Sequence, residues 1–340
     1  MMPSISVIIP TYNRARLINR AVASAIAATA PGDEIIVVDD GSTDETEEVL
    51  KPFTSAIQYI RVANGGAGAA RNVGLRKAKN KLISFLDSDD EWMHDKLKLQ
   101  RAFMEARPDV LLCFSNFMVR EVDGSEHPHF LEHWMQWFED PRSWEEIFEL
   151  TDWYSSFAQL PSSRADFRVF IGNIYPSLLR TPHILTDTVF IRRNSNTDGI
   201  FFPEDLRLYE DWEFFARIAR MGLAAYLDCD TVWNYGHIGP RLTNADVLIA
   251  IDTRFKLTER LWGKDQIFLE KYAHFYSQII SRLHLARVKA LLGHGQTANA
   301  RRELQNIAGY PISYRLLALL PGMVTKTFLG IRRKIIELWK

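Results

Sequence analysis

Asp87 and Asp89 stand two residues apart, directly after the apolar run Leu82 to Leu86 (LISFL). Two carboxylates so spaced at the end of a buried strand can face one cleft. Hard divalent cations such as Mn2+ or Mg2+ take such oxygen ligands and share them with substrate phosphates. Turns and helix caps also use Asp freely, so the pair gains its weight from its company. The run Ser6 to Pro10 (SVIIP) delivers Thr11-Tyr12-Asn13-Arg14, and Glu34 to Val38 (EIIVV) delivers Asp39-Asp40-Gly41-Ser42. Ligands of an open parallel sheet bind outside the carboxyl ends of its strands, so three polar strand ends address one crevice.

Three further features have chemistry in reach. The stretch Asn64-Gly65-Gly66-Ala67-Gly68-Ala69-Ala70-Arg71-Asn72 reads either as a phosphate cradle at a helix start or as a tight turn with close helix packing. It meets neither the dinucleotide fingerprint nor the Walker A pattern. Arg71 is its residue of interest, a guanidinium suited to a diphosphate or a base carbonyl. Glu210-Asp211-Trp212 opens an amphipathic stretch, where acidic residues complement the helix dipole; Asp211 is alternatively a general base for a hydroxyl nucleophile. His237 follows a short apolar run and is either structural or a metal or phosphate ligand.

The elements that position these residues alternate strand and helix. Strands are expected at 6–10, 34–38, 57–62, 82–86, 110–114 and 188–192, with helices at 17–29, 43–50, 68–78 and 212–221. Val119 to Val122 before Asp123-Gly124 reads as a hairpin, and Ala224 to Leu227 and Thr231 to Tyr235 as two short strands. Repeated strand-helix-strand units imply a mostly parallel central sheet flanked by helices, an α/β fold with right-handed crossovers. The aromatic-rich insertion, Phe130 to Pro176, either packs irregularly on the sheet or walls an acceptor pocket with its indoles.

At 340 residues the chain suits two domains, here a catalytic one over 1–240 and a helical C-terminal region over 241–340. The net charge of -1, from 41 basic and 42 acidic residues, gives no global basic field for nucleic acid. Cys113 and Cys229 are too few for a disulfide framework or a structural zinc site. No signal peptide is read at the start, and the apolar run Leu316 to Val324 is too short to span a bilayer, so a cytoplasmic chain is expected. Ser313 to Lys340 carries six basic residues against Glu337 alone, interleaved with apolar side chains. That pattern suits the inner face of an anionic membrane, or alternatively a packed or homodimer-forming helix.

Five segments together resemble the family 2 glycosyltransferases of GT-A fold: SVIIPTYNR from Ser6, IVVDDGSTD from Ile36, NGGAGAARNVG from Asn64, ISFLDSDDEW from Ile83 and YEDWEFFAR from Tyr209. They occur in the family's order and cover roughly the first 240 residues. The resemblance implies an inverting transfer from a nucleotide-sugar donor to a glycan or glycolipid acceptor, in bacterial-type cell-surface polysaccharide or glycolipid synthesis. It implies that Thr11, Tyr12, Asp39, Arg71, Asp87 and Ser88 hold the nucleotide. Asp89, with His237 assisting, would hold a divalent cation, and Asp211 would be the catalytic base. A nucleotidyltransferase would carry a basic glycine-rich loop where Thr11 to Arg14 stand; a non-catalytic nucleotide-sugar-binding scaffold would need no base at Asp211.

Overall fold

The first strand, β1 (Ile5–Thr11), is buried at every residue, as a continuous apolar run between two helical layers must be. It is followed by α1 (Ile18–Ala28), β2 (Glu34–Asp39), the short α2 (Thr46–Leu50), β3 (Gln58–Arg61), α3 (Ala67–Lys77) and β4 (Leu82–Phe85). β2 and β4 flank β1 in parallel, and β3 adds outside β2, also in parallel. Then come β5 (Glu91–Trp92), α4 (Lys96–Ala106), β6 (Val110–Arg120) and β7 (Glu126–His127), the last pairing with β6 as the expected hairpin. The computed structural model describes residues 3–138, 140–162, 164–236, 246–307, 312–324 and 327.

The insertion is less irregular than its sequence suggests. It forms α5 (Leu131–Trp137), α6 (Trp144–Ile147), β8 (Leu150–Trp153), β9 (Arg168–Gly172) and α7 (Tyr175–Leu178). Next are β10 (Phe190–Arg192), α8 (Glu210–Ala219) and β11 (Leu223–Tyr235). The strand order is β3-β2-β1-β4-β10-β6-β11-β9-β8, with β5 on β11 and β7 on β6. β10 runs against β4 and β6, and β9 against β11 and β8; the other strands on that path share one direction. The two short strands read at 224–227 and 231–235 are one strand, β11, whose pairing with β6 shifts register between Leu227 and Asp230 and again before Trp233. Asp228-Cys229-Asp230 at that irregularity reads as a break in the sequence, because its polar side chains interrupt the apolar run.

The helix α4 has no counterpart in the sequence reading. Its buried face carries Lys96, Gln100 and Arg101 beside Leu97, Leu99, Phe103 and Met104, so the hydrophobic period is masked. The Gln100 amide donates to the Thr188 carbonyl at 2.7 Å, and the Lys96 ammonium sits 4.6 Å from the Trp92 ring centroid. Burial pulls the Lys96 pKa down to about 7, against weaker opposition from nearby acidic groups.

α3 lies close on β1. A Cβ at Gly74 would stand 2.4 Å from the Ile8 Cγ2, so only glycine permits this approach. The core contains two aromatic clusters, one of Phe85, Phe202 and Phe214 and one of Phe114, Trp144, Phe170 and Tyr226. Cys113 and Cys229 are both buried, and desolvation pushes both thiols up, Cys113 to about 12.

The chain forms two units, Met1–Gly239 and Pro240–Lys340. Among its described residues the second is helical: α9 (Val247–Thr258), α10 (Gln266–Gly293), α11 (Thr297–Leu304) and α12 (Ile312–Leu319). Its core gathers Val288, Leu291, Leu292, Ala300, Leu304 and Ala318. Among the described residues no helix is long and apolar enough to cross a membrane.

Candidate active site

The carboxyl end of β1 is fastened to the loop after β2. Asn13 has a left-handed backbone (φ 52°), its N–H donates to the Ser42 Oγ at 2.9 Å, and its side-chain oxygen accepts the Thr43 N–H at 2.8 Å. The Arg14 N–H donates to the Thr46 Oγ1. Tyr12 projects from this clasp with 45% of its surface exposed, a ring free for stacking. Thr11 is buried, and its hydroxyl has no hydrogen-bond partner among the described residues.

Asp39 and Asp40 divide the work of the β2 end. The fully buried Asp39 accepts the Ser42 N–H at 2.7 Å on one oxygen and the Tyr59 hydroxyl at 2.6 Å on the other. Its carboxylate therefore braces the turn that carries Gly41. Asp40 accepts the N–H groups of Gly65 and Gly66 at 2.7 and 2.8 Å, and the Asn64 amide as well. The glycine-rich stretch is thus a loop wrapped round a carboxylate, which settles the turn alternative for Gly65 and Gly66. Gly66, at φ 93°, is the cap of α3.

α3 carries Arg71 into the centre. Its guanidinium donates to Asp87 at 2.7 Å and to Glu210 at 3.1 Å, and the arginine is buried. Burial alone would lower its pKa, but Asp87 and Glu210 hold it higher. The next residue, Asn72, donates to the Phe202 carbonyl and accepts the Phe202 N–H, tying α3 to the segment that leads into α8. Arg71 is thereby the bridge between the β4 end and the α8 start.

At the β4 end, Ser88 and Asp90 are buried, while Asp87 and Asp89 keep part of their side chains in solvent. Asp89 faces Arg14, with Nε to Oδ2 at 3.5 Å, and its backbone carbonyl accepts from Arg20 at 2.6 Å. Asp90 accepts the Tyr235 N–H at 2.9 Å and the Asn234 amide at 2.7 Å, which joins this loop to the end of β11. Asp187 accepts the Asp87 N–H at 2.5 Å and adjoins Asp90. Desolvation by burial raises the pKa values of both Asp90 and Asp187; Asp90 adds to the rise of Asp187, whose hydrogen bond in turn restrains that of Asp90. No sequence signal marks Asp187, an isolated acid before a three-residue strand.

α8 opens on Tyr209, whose backbone is left-handed at φ 63°, a costly conformation for a tyrosine that sets the exit direction of Glu210 and Asp211. Asp211 accepts the Trp212 N–H at 2.8 Å and lies 3.4 Å from the Thr186 hydroxyl. Burial raises its pKa, Arg71 restrains the rise, and Asp87 adds to it. Glu210 is pushed up to about 7, by burial first and by Asp211 second. A carboxylate destabilised in this way is a stronger base than one in water.

The site residues expected from sequence therefore gather in one place: Asp87, Arg71, Glu210 and Asp211 form one charge cluster, with Asp89 and the Thr11–Arg14 clasp beside it. His237 lies outside the described residues; Tyr235 and Gly236, just before it, adjoin the Asp90 anchor. Among the described residues no group of three or more His, Cys, Asp and Glu converges as a metal shell. The Asp89 carboxylate, partly open to solvent beside Arg14, is an oxygen ligand of the kind that Mg2+ or Mn2+ takes together with substrate phosphates and water.

Residues 6–162 match the family described as Glycosyl transferase family 2. The putative teichuronic acid biosynthesis glycosyltransferase TuaG of Bacillus subtilis is 37% identical over 133 residues, which is 38% of this chain and 52% of TuaG. The chain spans about a quarter to about half the length of the curated relatives it matches, from 25% to 52%. S. aureus TarS 1-349 in complex with UDP-GlcNAc superposes at a TM-score of 0.56 and 20% identity, over 93% of this chain and 90% of that one. The mannosyltransferase PcManGT of Pyrobaculum calidifontis, solved with GDP-Man and Mn2+, superposes at 0.53 and 19% identity, over 100% and 88%. These two structures share the fold.

Proposed function

We propose, from the premise that this chain carries a family 2 glycosyltransferase domain on a GT-A fold, that it is an inverting glycosyltransferase. It moves a sugar from a nucleoside-diphosphate donor to a hydroxyl of a glycan or glycolipid. The observation that supports this most directly is the Asp87–Arg71–Glu210 bridge, which joins the end of β4 to the start of α8, where Asp211 stands. Tyr12 stacks on the base, Thr11 and Asp39 line its pocket, and Arg71, Asp87 and Ser88 face the ribose and diphosphate. Asp89, with His237 assisting, would hold a divalent cation, which would supply positive charge to the departing diphosphate. The use of Mn2+ with a nucleotide sugar by PcManGT supports such an ion here.

Asp211 takes the proton of the acceptor hydroxyl. The acceptor oxygen attacks the anomeric carbon from the face opposite the diphosphate, and the bond to the leaving oxygen breaks with its electron pair. The nucleoside diphosphate departs and the anomeric configuration is inverted. The oxocarbenium-like transition state matches that of glycoside hydrolysis. TuaG, named for teichuronic acid biosynthesis, supports a bacterial-type cell-surface polysaccharide as the product class.

A thermal-shift panel tests the reading. UDP or GDP with Mn2+ should raise Tm by several degrees, and either alone should do less, since only a bound native state is stabilised. Mass analysis of products from a donor panel separates transfer of the sugar from nucleotidyl transfer, and a binding scaffold yields no product. No stabilisation by any nucleotide with metal overturns the reading.

The cytoplasmic face of a membrane is the proposed location. Ile312, Leu316, Leu319 and Met323 are exposed along 312–323, and Arg315 lies among them. The basic residues Lys326, Arg332, Arg333, Lys334 and Lys340 lie outside the described residues. The chain should float with anionic phosphatidylglycerol vesicles and not with neutral phosphatidylcholine ones, and Leu316→Glu with Leu319→Glu should abolish flotation. Unchanged flotation of that variant, or a dimer by light scattering that it dissociates, assigns the stripe to a second copy instead.

A further inference from the structure

The helix α5 presents an aromatic surface next to the catalytic cluster. Its start is fastened to β6: the Phe130 N–H donates to the Phe117 carbonyl at 3.0 Å, and the Leu131 N–H to the Asn116 side-chain oxygen at 3.1 Å. Phe117 is buried and packs against Phe130 and Trp134, with centroids at 5.7 and 5.3 Å. Phe130 stacks on His133 at 5.0 Å with 13° between planes, and meets Trp137 edge-on at 5.5 Å. Trp137 nonetheless keeps 68% of its surface exposed. Trp92, Trp144, Trp212 and Trp262 are all buried, whereas Trp137 and Trp153 stay exposed, and Trp137, the more open of the two, is held edge-on by Phe130.

Two observations connect this surface to the site. The residue after Trp137, Phe138, packs edge-on against Trp212 at 5.8 Å, and Trp212 is the neighbour of Asp211. Polar groups gather where the chain enters α5. His129 has a left-handed backbone (φ 52°), its N–H donates to Asp230, and its half-exposed ring lies 3.4 Å from the Asp228 carboxylate. Asp228 also accepts the Tyr226 hydroxyl at 2.7 Å and keeps part of its side chain in solvent.

We propose that Trp137, with His133, His129 and Asp228 at its border, is a subsite for a pyranose ring of the acceptor glycan. The apolar C–H face of the sugar stacks on the indole, and its hydroxyls meet the imidazole and the carboxylate. The charge decides against a lipid surface, since Glu132, Asp228 and Asp230 act on His129 beside the start of α5 and repel anionic headgroups. The subsite takes its link to catalysis from the transferase reading, but binding of a free sugar requires no turnover.

Saturation-transfer NMR on the full chain, with the methyl glycosides of glucose, galactose, mannose and N-acetylglucosamine, tests this. At least one glycoside should receive saturation through its ring C–H protons. Trp137→Ala should weaken that binding about three- to tenfold, the size of one aromatic contact. Trp153→Ala, a similarly exposed tryptophan on β8, should leave it intact. UDP with Mn2+ should stabilise both variants as it does the parent chain. Equal glycoside signals in Trp137→Ala, or no glycoside bound by a parent chain that binds nucleotide, overturns the subsite and leaves the transferase reading standing.

Discussion

Asp211→Asn should lower kcat by about 100- to 10,000-fold, the usual worth of a general base. The carboxamide is the same size and keeps an oxygen to accept the Trp212 N–H, so the α8 start should hold its shape. What it loses is the capacity to take a proton. Donor affinity should be unchanged, because in the proposed role Asp211 meets the acceptor hydroxyl and not the diphosphate. The parent enzyme should show the matching pH limb. Burial lifts the Asp211 pKa above its ordinary 3.8, with Arg71 holding it back. Activity is therefore present above that raised value and falls as pH drops through it. Initial rates across pH, with calorimetric titration of the nucleotide sugar into both proteins, measure this. An Asn variant that loses donor binding, or that keeps its acid limb and its turnover, removes Asp211 from the role.

Asp89→Asn should fail differently. Turnover and metal-dependent donor binding should drop together, by more than the roughly 10- to 100-fold typical of groups that only support a metal ligand. The fold should survive, because the loop is fixed by other atoms: Arg20 on the Asp89 carbonyl, Asp187 on the Asp87 N–H, and β11 on the Asp90 carboxyl. Nucleotide binding measured without metal should be little affected, since Tyr12 and Thr11 are unchanged. Titration of UDP at a series of Mn2+ concentrations separates the two contributions. An Asn variant with the same Mn2+ dependence as the parent shows that the ion sits elsewhere.

The contrast between these variants explains why so much of the site was legible in sequence. Thr11, Asp39, Asp87 and Asp89 follow apolar runs whose burial on both faces leaves one geometry open, a strand ending in a polar loop. Short range was enough. Asp187, Glu210 and Asn72 were not legible as parts of one device, because their partners are 100, 139 and 130 residues away. α4 was hidden by the lysine, glutamine and arginine on its inner face, which find partners only once the sheet exists. The insertion concealed its order for the opposite reason: aromatic residues are so dense there that no single period stands out, and tertiary contacts chose which indoles to cover.

The Arg71 bridge has a bearing on how such an enzyme can change over generations. Losing Asp87 or Glu210 alone leaves a guanidinium in the interior with half its compensation, and losing Arg71 alone leaves two acids facing each other beside a third. Removing one partner of a buried pair is commonly worth about 3 to 5 kcal/mol, a large share of a domain's margin. Drift at these three positions is therefore blocked one step at a time, and lineages should keep or exchange the trio as a block. A descendant whose chemistry had changed would still inherit it, so the trio marks ancestry more reliably than present trade.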